Sequence, residues 1–209
     1  ADPVWARIHA DVSAQERAVS TRRVEAVRAQ GVYLDDAALH AASRLESITP
    51  EAIAEVALSD PRNAQNEMLR PYMPGGARSE NPFVQFYWDY FAPGMPLYID
   101  IRFMPLGQAV DTIHRTGGIA VLAHPGQNIG LDADAFHAIA EEGMDGVEVY
   151  SSYHDADTVA HFRRLAHERG LLVTAGSDFH GKTKPSIVLG EIANLEDGSE
   201  VWAGLEKAL

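Results

Sequence analysis

The first half of the chain has the hydrophobic spacing of helices rather than of strands. Apolar residues recur every three or four positions across residues 14–58. Helices are predicted over residues 14–31, 34–46 and 49–58. Gly31 suits the end of the first helix, and Thr49 followed by Pro50 suits the start of the third. The next segment, residues 59–104, is rich in Pro, Asn and aromatic residues, which predicts short helices with irregular connections.

From residue 105 the pattern becomes a regular alternation of apolar strands and amphipathic helices. Strands are predicted over residues 119–123, 146–152, 171–175 and 186–192. Helices are predicted over residues 105–118, 131–143, 155–170 and 199–209. Apolar strands that alternate with helices are typical of a parallel sheet covered by helices. The sequence therefore predicts an α/β fold for this region.

Composition narrows the classes of function. The chain has 209 residues, with 30 acidic and 17 basic residues and a formal charge of −13. This balance disfavours non-specific binding of nucleic acid through a basic surface. The sequence contains no cysteine, so a metal would have to be held by His, Asp or Glu. No apolar run is long enough for a membrane span and no signal segment is evident, so we expect a cytoplasmic protein that does not enter a membrane.

The start of the chain leaves two interpretations open. It begins with Ala1 rather than Met. Either an initiator Met has been removed, or the sequence is the later part of a longer chain. Composition alone does not decide between them.

Polar side chains of the metal-binding kind follow the predicted strands. His124 comes directly after strand 119–123, whereas Asp178 and His180 come after strand 171–175. The carboxyl ends of parallel strands meet at one edge of a sheet, so these side chains can converge. In extended backbone Asp178 and His180 would also point to the same side. A carboxylate with neutral imidazoles predicts a site for a divalent metal ion.

Each of these residues also has an ordinary structural interpretation. A single His after a strand is commonly a hydrogen-bonded surface or core residue, and that would account for His124 alone. Asp178 in the sequence GSD could simply cap a turn. His154 could be the polar start of the following helix. The metal-site hypothesis rests on the coincidence of several strand ends.

Three segments give a specific family resemblance. They are GGIAVLAHPG (117–126), GMDGVEVYSSYH (143–154) and GLLVTAGSDFHG (170–181). They resemble the C-terminal half of PHP-domain (polymerase and histidinol phosphatase) metal-dependent phosphoesterases. The resemblance is strongest over residues 105–192. Upstream segments such as GGARSENPF (75–83) resemble the helical insertion of a bacterial PHP subfamily.

The resemblance implies a fold. Family members form a distorted, TIM-like barrel of about seven βα units. The predicted fold class is therefore α/β, as part of such a (βα)7 PHP barrel with a mainly helical insertion. On this basis residues 1–33 and 101–209 are assigned to the C-terminal part of the barrel. Residues 34–100 are assigned to the helical insertion.

The resemblance also implies metal chemistry. It implies about two or three divalent ions, Mn, Zn, Fe or Mg, in a complete site. The family's metal ligands map onto His124, Asp178 and His180. The family opens with a strand bearing His-x-His, and this chain has no such motif, so it retains three of roughly nine expected ligands. We therefore expect the chain alone to bind metal poorly and to hydrolyse little.

The implied reaction is hydrolysis of a phosphomonoester, either a nucleotide or a small phosphorylated metabolite. His154 is the candidate general acid. Candidate groups for binding the substrate phosphate are Arg78, Lys182, Lys184 and Arg102. For the two lysines, an ordinary solvated loop is an equally good interpretation. Arg78 could instead stabilise the fold of the insertion.

Three hypotheses about function remain open. In the first, the missing N-terminal half completes the enzyme, either as a separate chain or as part of a longer parent. In the second, the chain is a non-catalytic half-barrel with a structural or interaction role. In the third, it is an amidohydrolase-type metal enzyme on the same barrel, although the AHPG and SDFHG motifs argue against that.

Overall fold

The structure is a computed structural model that describes residues 2–43 and 47–208. The chain forms two compact units. The first contains Ala1–Phe103 and His180–Ser186, and the second contains Met104–Phe179 and Ile187–Leu209. The predicted insertion thus lies in the first unit, together with residues 1–33. The assignment of residues 1–33 to a barrel stays a prediction.

The first unit is built mainly from helices. Its α-helices are α1 (Pro3–Arg28), α2 (Asp36–Ala42), α3 (Pro50–Ser59) and α4 (Pro82–Tyr90). Short 3₁₀ helices lie at Pro61–Asn63, Arg70–Tyr72 and Gly181–Thr183. The side chains of Asp2, Asp35 and Thr49 cap α1, α2 and α3 by accepting backbone N–H groups. These caps fix where the helices begin.

Two helix boundaries differ from the predicted ones. Helix α1 begins eleven residues earlier than residue 14, at Pro3, because Asp2 caps it and the proline suits its first turn. Helix α2 ends at Ala42. The last three residues predicted for it, 44–46, lie outside the described residues. The predicted start of α3, with Thr49 as cap and Pro50 as the first helical residue, is confirmed.

The core of the first unit is apolar and partly aromatic. Phe86 of α4 is fully buried, and its ring contacts the rings of Tyr72, Tyr90 and Phe91 at centroid distances of 5.5, 5.1 and 5.9 Å. Ile53 of α3 is also fully buried in this cluster. Aromatic pairs at these distances stabilise a core beyond the area that they bury. The aromatic-rich segment that follows residue 59 therefore supplies packing for the unit.

The second unit is an α/β structure. Its strands are β1 (Val121–Leu122), β2 (Gly146–Ser151) and β3 (Leu172–Gly176). Its helices are α5 (Leu106–Arg115), α6 (Pro125–Ile129), α7 (Ala133–Glu141), α8 (Ala156–Arg169) and α9 (Ser199–Ala208). The strands form a small parallel sheet in the order β1-β2-β3. The α/β class and the parallel sheet are confirmed for this unit.

The sheet brings the carboxyl ends of its strands to one edge. Strand β2 lies in the middle, and its Val147 and Val149 are fully buried. Along the β2–β3 pair, Glu148 is opposite Thr174 and Tyr150 is opposite Ala175, so Val149 is an extra residue in a bulge. A bulge re-aims the side chains that follow it and occurs often beside functional sites. The residues that follow Val149 therefore leave the strict alternation of the strand.

The prediction of a fourth strand at residues 186–192 is wrong. The structure has turns there, and in this segment Val188 and Leu189 are 48% and 72% exposed. An apolar stretch forms a strand only where a neighbouring strand accepts its hydrogen bonds. The apolar letters alone could not show whether such a neighbour exists.

Helices long and apolar enough to span a bilayer are not found within residues 2–43 and 47–208.

Candidate functional site

His124 and Asp178, two of the predicted metal ligands, lie together in the second unit. His124 follows β1 and Asp178 follows β3, and His124 Nε2 is 3.9 Å from Asp178 Oδ1. The distance is too long for a hydrogen bond. It is short enough for both atoms to bind one ion at about 2.0–2.2 Å each. The parallel sheet thus joins two residues that are 54 positions apart in the sequence.

Both residues have an unusual backbone conformation. The φ angle is 29° at His124 and 54° at Asp178. Positive φ is uncommon for residues other than glycine, and such strain is often found at functional sites. This geometry also corrects a prediction. Strand β3 ends at Gly176, so the Asp178-x-His180 segment is not extended and its side chains do not follow strand alternation.

Tyr153 contacts both candidate ligands. Its hydroxyl donates a hydrogen bond to Asp178 Oδ2 at 2.5 Å. Its ring meets the ring of His124 edge to face, with centroids 6.0 Å apart. One oxygen of Asp178 is thereby fixed, and the other faces His124. Sequence reasoning passed over Tyr153, although its place two residues after the end of β2 was a usable signal.

Glu148 lies beneath His124 in the middle strand. Its Oε2 accepts a hydrogen bond from the backbone N–H of His124 at 2.9 Å. Burial raises the pKa of Glu148, and the negative charge of Asp178 raises it further, against the opposing effect of the His124 N–H. Sequence reasoning also missed Glu148. The available signal was an acidic residue inside an otherwise apolar strand, GVEVYS.

His154 is buried and hydrogen-bonded at both ring nitrogens. Nδ1 lies 2.8 Å from the carbonyl oxygen of Val149, and Nε2 accepts the backbone N–H of Gly126 at 3.1 Å. A carbonyl oxygen can only accept, so the proton is on Nδ1 and the ring is neutral. The ring also stacks on Phe162 at 5.7 Å. This arrangement gives His154 a structural role, and its role as general acid stays a prediction.

His180 and Lys182 belong to the first unit. Both line a cavity of about 230 Å³ with Glu51 and Glu55 of α3. Lys182 Nζ lies 2.5 Å from Glu55 Oε1, so a carboxylate already holds this predicted phosphate-binding group. Lys184 ends the 3₁₀ turn Gly181–Thr183 that follows His180. His180, Lys182 and Lys184 thus belong to the first unit, whereas His124 and Asp178 belong to the second.

Arg78 and Arg102 also lie in the first unit. The guanidinium of Arg78 donates to Gln85 Oε1 at 2.9 Å and to Asp89 Oδ1 at 3.0 Å, which ties it to helix α4. Arg102 is exposed, and its backbone N–H and carbonyl are bonded to the side chain of Gln15. Arg78 therefore stabilises the helical segment. A substrate-binding role for either arginine stays a prediction.

The donor atoms at the His124–Asp178 pair fit a divalent ion. Imidazole nitrogen and carboxylate oxygen suit Zn, Fe and Mn, and carboxylate oxygen suits Mg. His124 Nδ1 is buried and has no hydrogen-bond partner in the described part of the chain, so it is open to a further ligand or polar group. Within the same residues, no three His, Asp or Glu side chains are grouped so that they could hold a metal ion. This chain therefore shows a pair of candidate ligands at this edge of the sheet.

Comparisons with known proteins give three informative relatives. The chain is 32% identical over 127 residues to a 3',5'-nucleoside bisphosphate phosphatase from Chromobacterium violaceum, covering 56% of this chain and 42% of the relative. It is 36% identical over 118 residues to the 5'-3' exoribonuclease Rnm of Escherichia coli, covering 54% and 40%. It is 39% identical over 84 residues to a phosphoribosyl 1,2-cyclic phosphate 1,2-diphosphodiesterase from Eggerthella lenta, covering 40% and 31%. No protein-family model matches the chain.

Solved structures agree on the fold. An amidohydrolase from Chromobacterium violaceum, solved with bound sulfate and no metal, matches 100% of this chain with a TM-score of 0.71 and 24% identity. A metal-dependent phosphoesterase described from Bifidobacterium adolescentis matches 97% with a TM-score of 0.67 and 23% identity. This chain covers 68% and 66% of those two chains.

These findings confirm the predicted resemblance to PHP-type phosphoesterases, because the relatives are enzymes that hydrolyse phosphoric esters. The aligned regions amount to about two fifths or less of the length of the curated relatives. The activity of the whole protein is therefore a matter for proposal.

Proposed function

We propose that the protein is a metal-dependent phosphoesterase, and that this chain supplies part of its barrel and part of its metal site. The observation that carries the proposal is the His124–Asp178 pair, with Nε2 and Oδ1 3.9 Å apart at the ends of two parallel strands. The relatives, all hydrolases of phosphoric esters, support the reaction class. The similarity to two solved structures supports the proposal that the small sheet continues into a TIM-like PHP barrel.

His124 and Asp178 would hold the ion, with Tyr153 fixing the orientation of the Asp178 carboxylate. A divalent ion held there would polarise a phosphate oxygen and lower the pKa of a bound water to about 7. His180 is proposed as a further ligand, as the family resemblance implies. Mn, Zn, Fe and Mg all remain candidates, with about two or three ions in a complete site.

The proposed substrate is a small phosphomonoester, with a nucleotide as the first choice. The names of the three relatives all describe phosphate esters of nucleosides, of RNA or of a phosphoribosyl group. The net charge of −13 disfavours a large nucleic-acid surface and is compatible with a small phosphate ester bound through an ion. Lys182 and Lys184 are proposed to assist near the phosphate. Lys182 would first have to leave Glu55.

Hydrolysis assays on a verified sample test the reaction. The chain would be incubated with a nucleoside 3',5'-bisphosphate and Mn²⁺, Zn²⁺ or Mg²⁺, and phosphate release would be measured. The matched variants are Asp178→Asn, which keeps the shape of a ligand, and Asp111→Asn, which changes an exposed aspartate on α5. We expect little phosphate release from the chain alone, and we expect the release that is measured to depend on metal and on Asp178 and not on Asp111. Activity that survives both metal removal and Asp178→Asn would overturn the proposal.

Intact and native mass spectrometry with metal analysis distinguishes the alternative. A second polypeptide that co-purifies with stoichiometric metal would support a site completed by another chain. A lone 22.8 kDa chain without stoichiometric metal would be an incomplete half, and the activity would then be sought in its parent. The half-barrel with a structural or interaction role would be favoured if the parent or the completed complex also releases no phosphate.

A further inference from the structure

We propose that Glu148 and His154 are positioning residues that hold the backbone around Pro125 and thereby aim the imidazole of His124 at Asp178. The role of this ligand pair rests on the proposed function, whereas the backbone contacts themselves do not. Glu148 accepts the N–H of His124 at 2.9 Å, on one side of Pro125. His154 accepts the N–H of Gly126 at 3.1 Å, on the other side. The side chains of Glu148 and His154 thus hold a single turn through two hydrogen bonds, which are called the turn-holding hydrogen bonds below.

The turn needs this support because its backbone is strained. His124 has a φ of 29° and precedes a proline, which restricts its conformation further. A non-glycine residue in this region is strained and persists only where its surroundings enforce it. The N–H of His124 points at a carboxylate, and a hydrogen bond to a charged acceptor is among the stronger ones. Glu148 therefore favours the conformation that presents His124 to Asp178.

His154 is itself held in place before it can hold Gly126. Its Nδ1–H donates to the carbonyl of Val149, the bulged residue of β2, and this bond fixes which ring nitrogen can accept. Phe162 of α8 stacks on the ring at 5.7 Å. A side chain at position 126 would collide with the ring, because an added Cβ would lie 2.8 Å from His154 Nε2. The glycine in AHPG is thus matched to this imidazole.

Amide hydrogen exchange, followed by NMR, tests the two turn-holding hydrogen bonds without any metal. We expect the amides of His124 and Gly126 to be protected in the wild-type chain. Glu148→Ala should raise the exchange rate of the His124 amide by roughly tenfold or more. Glu148→Gln, which keeps an acceptor oxygen, should restore most of the protection. Equal protection in wild type and Glu148→Ala would overturn the inference, as would an unprotected His124 amide in the wild-type chain.

A separate variant tests the hydrogen bond from the Gly126 N–H to His154. His154→Asn can still donate to Val149, but its shorter side chain lacks an acceptor at the place of Nε2. It should raise the exchange rate of the Gly126 amide while that of an unrelated amide in α8 stays the same. A global rise in exchange would show that the fold was lost, and the comparison would then use Gly126→Ala, which pushes the same ring away. An unchanged Gly126 rate in a folded variant would contradict the inference.

Titration with Mn²⁺ then tests whether the turn-holding hydrogen bond of Glu148 affects metal binding at His124 and Asp178. Bound Mn²⁺ broadens nearby NMR signals, even when binding is weak. We expect broadening at His124 and Asp178 in the wild type, a requirement for roughly tenfold more Mn²⁺ in Glu148→Ala, and near-normal behaviour in Glu148→Gln. Glu141→Ala, an exposed glutamate on α7, is the matched control. Equal Mn²⁺ dependence in Glu148→Ala and wild type would overturn the positioning role, as would a Glu148→Gln variant as defective as Glu148→Ala.

The two proposals fail in different ways. If Mn²⁺ broadens no signal near His124 in the wild-type chain while exchange responds as expected, the turn-holding hydrogen bonds are supported and the metal site is not. If Mn²⁺ binds at His124 and Asp178 while exchange is insensitive to Glu148, the metal site is supported and the turn-holding role of Glu148 is overturned.

Discussion

Gly176 leaves the space that the carboxylate of Glu148 occupies. A Cβ at position 176 would collide with Glu148 Oε1, on the neighbouring strand. The side chain of Glu148 can therefore reach the N–H of His124 only because residue 176 has no side chain. A glycine within a strand often marks such a close approach. The glycine that begins GSDFHG thus contributes to the geometry of a histidine 52 positions earlier.

Gly176→Ala should disturb the site more than it disturbs the fold. The added methyl displaces a flexible carboxylate, and that displacement removes the acceptor of the His124 N–H. The lost hydrogen bond costs about 1 kcal/mol, while alanine is favoured over glycine within a strand by roughly 0.5–1 kcal/mol. The free energy of unfolding, measured with urea, should therefore change by less than about 1 kcal/mol.

The Mn²⁺ response of Gly176→Ala should nevertheless weaken at His124. Gly198→Ala is the matched control, because a Cβ there meets nothing within 4 Å. A Gly176→Ala protein with wild-type Mn²⁺ broadening would contradict the importance of this space.

Tyr153→Phe should weaken metal binding while leaving the fold intact. The variant loses the hydroxyl that donates to Asp178 Oδ2 at 2.5 Å but keeps the ring that contacts His124. Loss of a group that orients a metal ligand typically costs about 10–100-fold in metal affinity or activity. Isothermal titration with Zn²⁺ measures the change.

Tyr98→Phe is the matched control for Tyr153→Phe. Tyr98 also donates to an aspartate, Asp100, at 2.9 Å, but it lies in the first unit and is exposed. An equal loss of affinity in the two variants would show that the effect is not specific to Asp178.

Much of the second unit follows from local sequence patterns. Asp155 caps α8, Gly170 ends it with a φ of 66°, and Phe162 lies in the core. These features depend on residues within one or two turns of each other, which a single sequence displays. The convergence of His124 and Asp178 followed from one further rule, that parallel strands end at the same edge.

The missed features depend on contacts between distant residues. The roles of Glu148 and Tyr153 require knowledge of which atoms meet across the sheet. The left-handed conformation of Asp178 depends on interactions that no periodicity encodes. His154 illustrates the same limit, because its hydrogen bonds to Val149 and Gly126 cannot be seen in the sequence. The sequence therefore predicted the convergence of His124 and Asp178 better than the contacts that surround them.

Asp145 should make the stability of the second unit depend on pH in acid. Burial opposes ionisation of Asp145, but the N–H of Ala120 at 2.6 Å and the ring of His114 at 2.8 Å outweigh it and lower its pKa below the ordinary value of 3.8. Because its pKa is lower in the folded state, ionised Asp145 contributes to the free energy of unfolding at any pH above its unfolded-state pKa. That contribution is lost as the pH falls through the folded-state pKa.

The comparison that isolates this effect is wild type against Asp145→Asn, unfolded by urea between pH 2 and pH 7. The difference in the free energy of unfolding should be constant above about pH 5 and should shrink below about pH 4. Asp111→Asn should show no such trend, since Asp111 is an exposed residue of α5. A difference that is flat down to pH 2 would contradict the role given to the Asp145 carboxylate.

Phe162→Ala should destabilise the second unit strongly and loosen His154. Phe162 is fully buried, and its ring contacts Phe136 at 5.8 Å as well as stacking on His154. Removing a buried phenylalanine side chain costs about 3–5 kcal/mol, because apolar contact is lost and a cavity remains.

Phe103→Ala makes the same change at a residue that is 69% exposed, and it should alter the free energy of unfolding by no more than about 0.5 kcal/mol. Urea unfolding of both variants measures these values, and exchange of the Gly126 amide reports on His154. If Phe162→Ala cost no more than Phe103→Ala, the packing of α8 on the sheet would be wrong. If its cost were large but Gly126 stayed fully protected, His154 would be held by Val149 alone and the stacked ring would serve only the core.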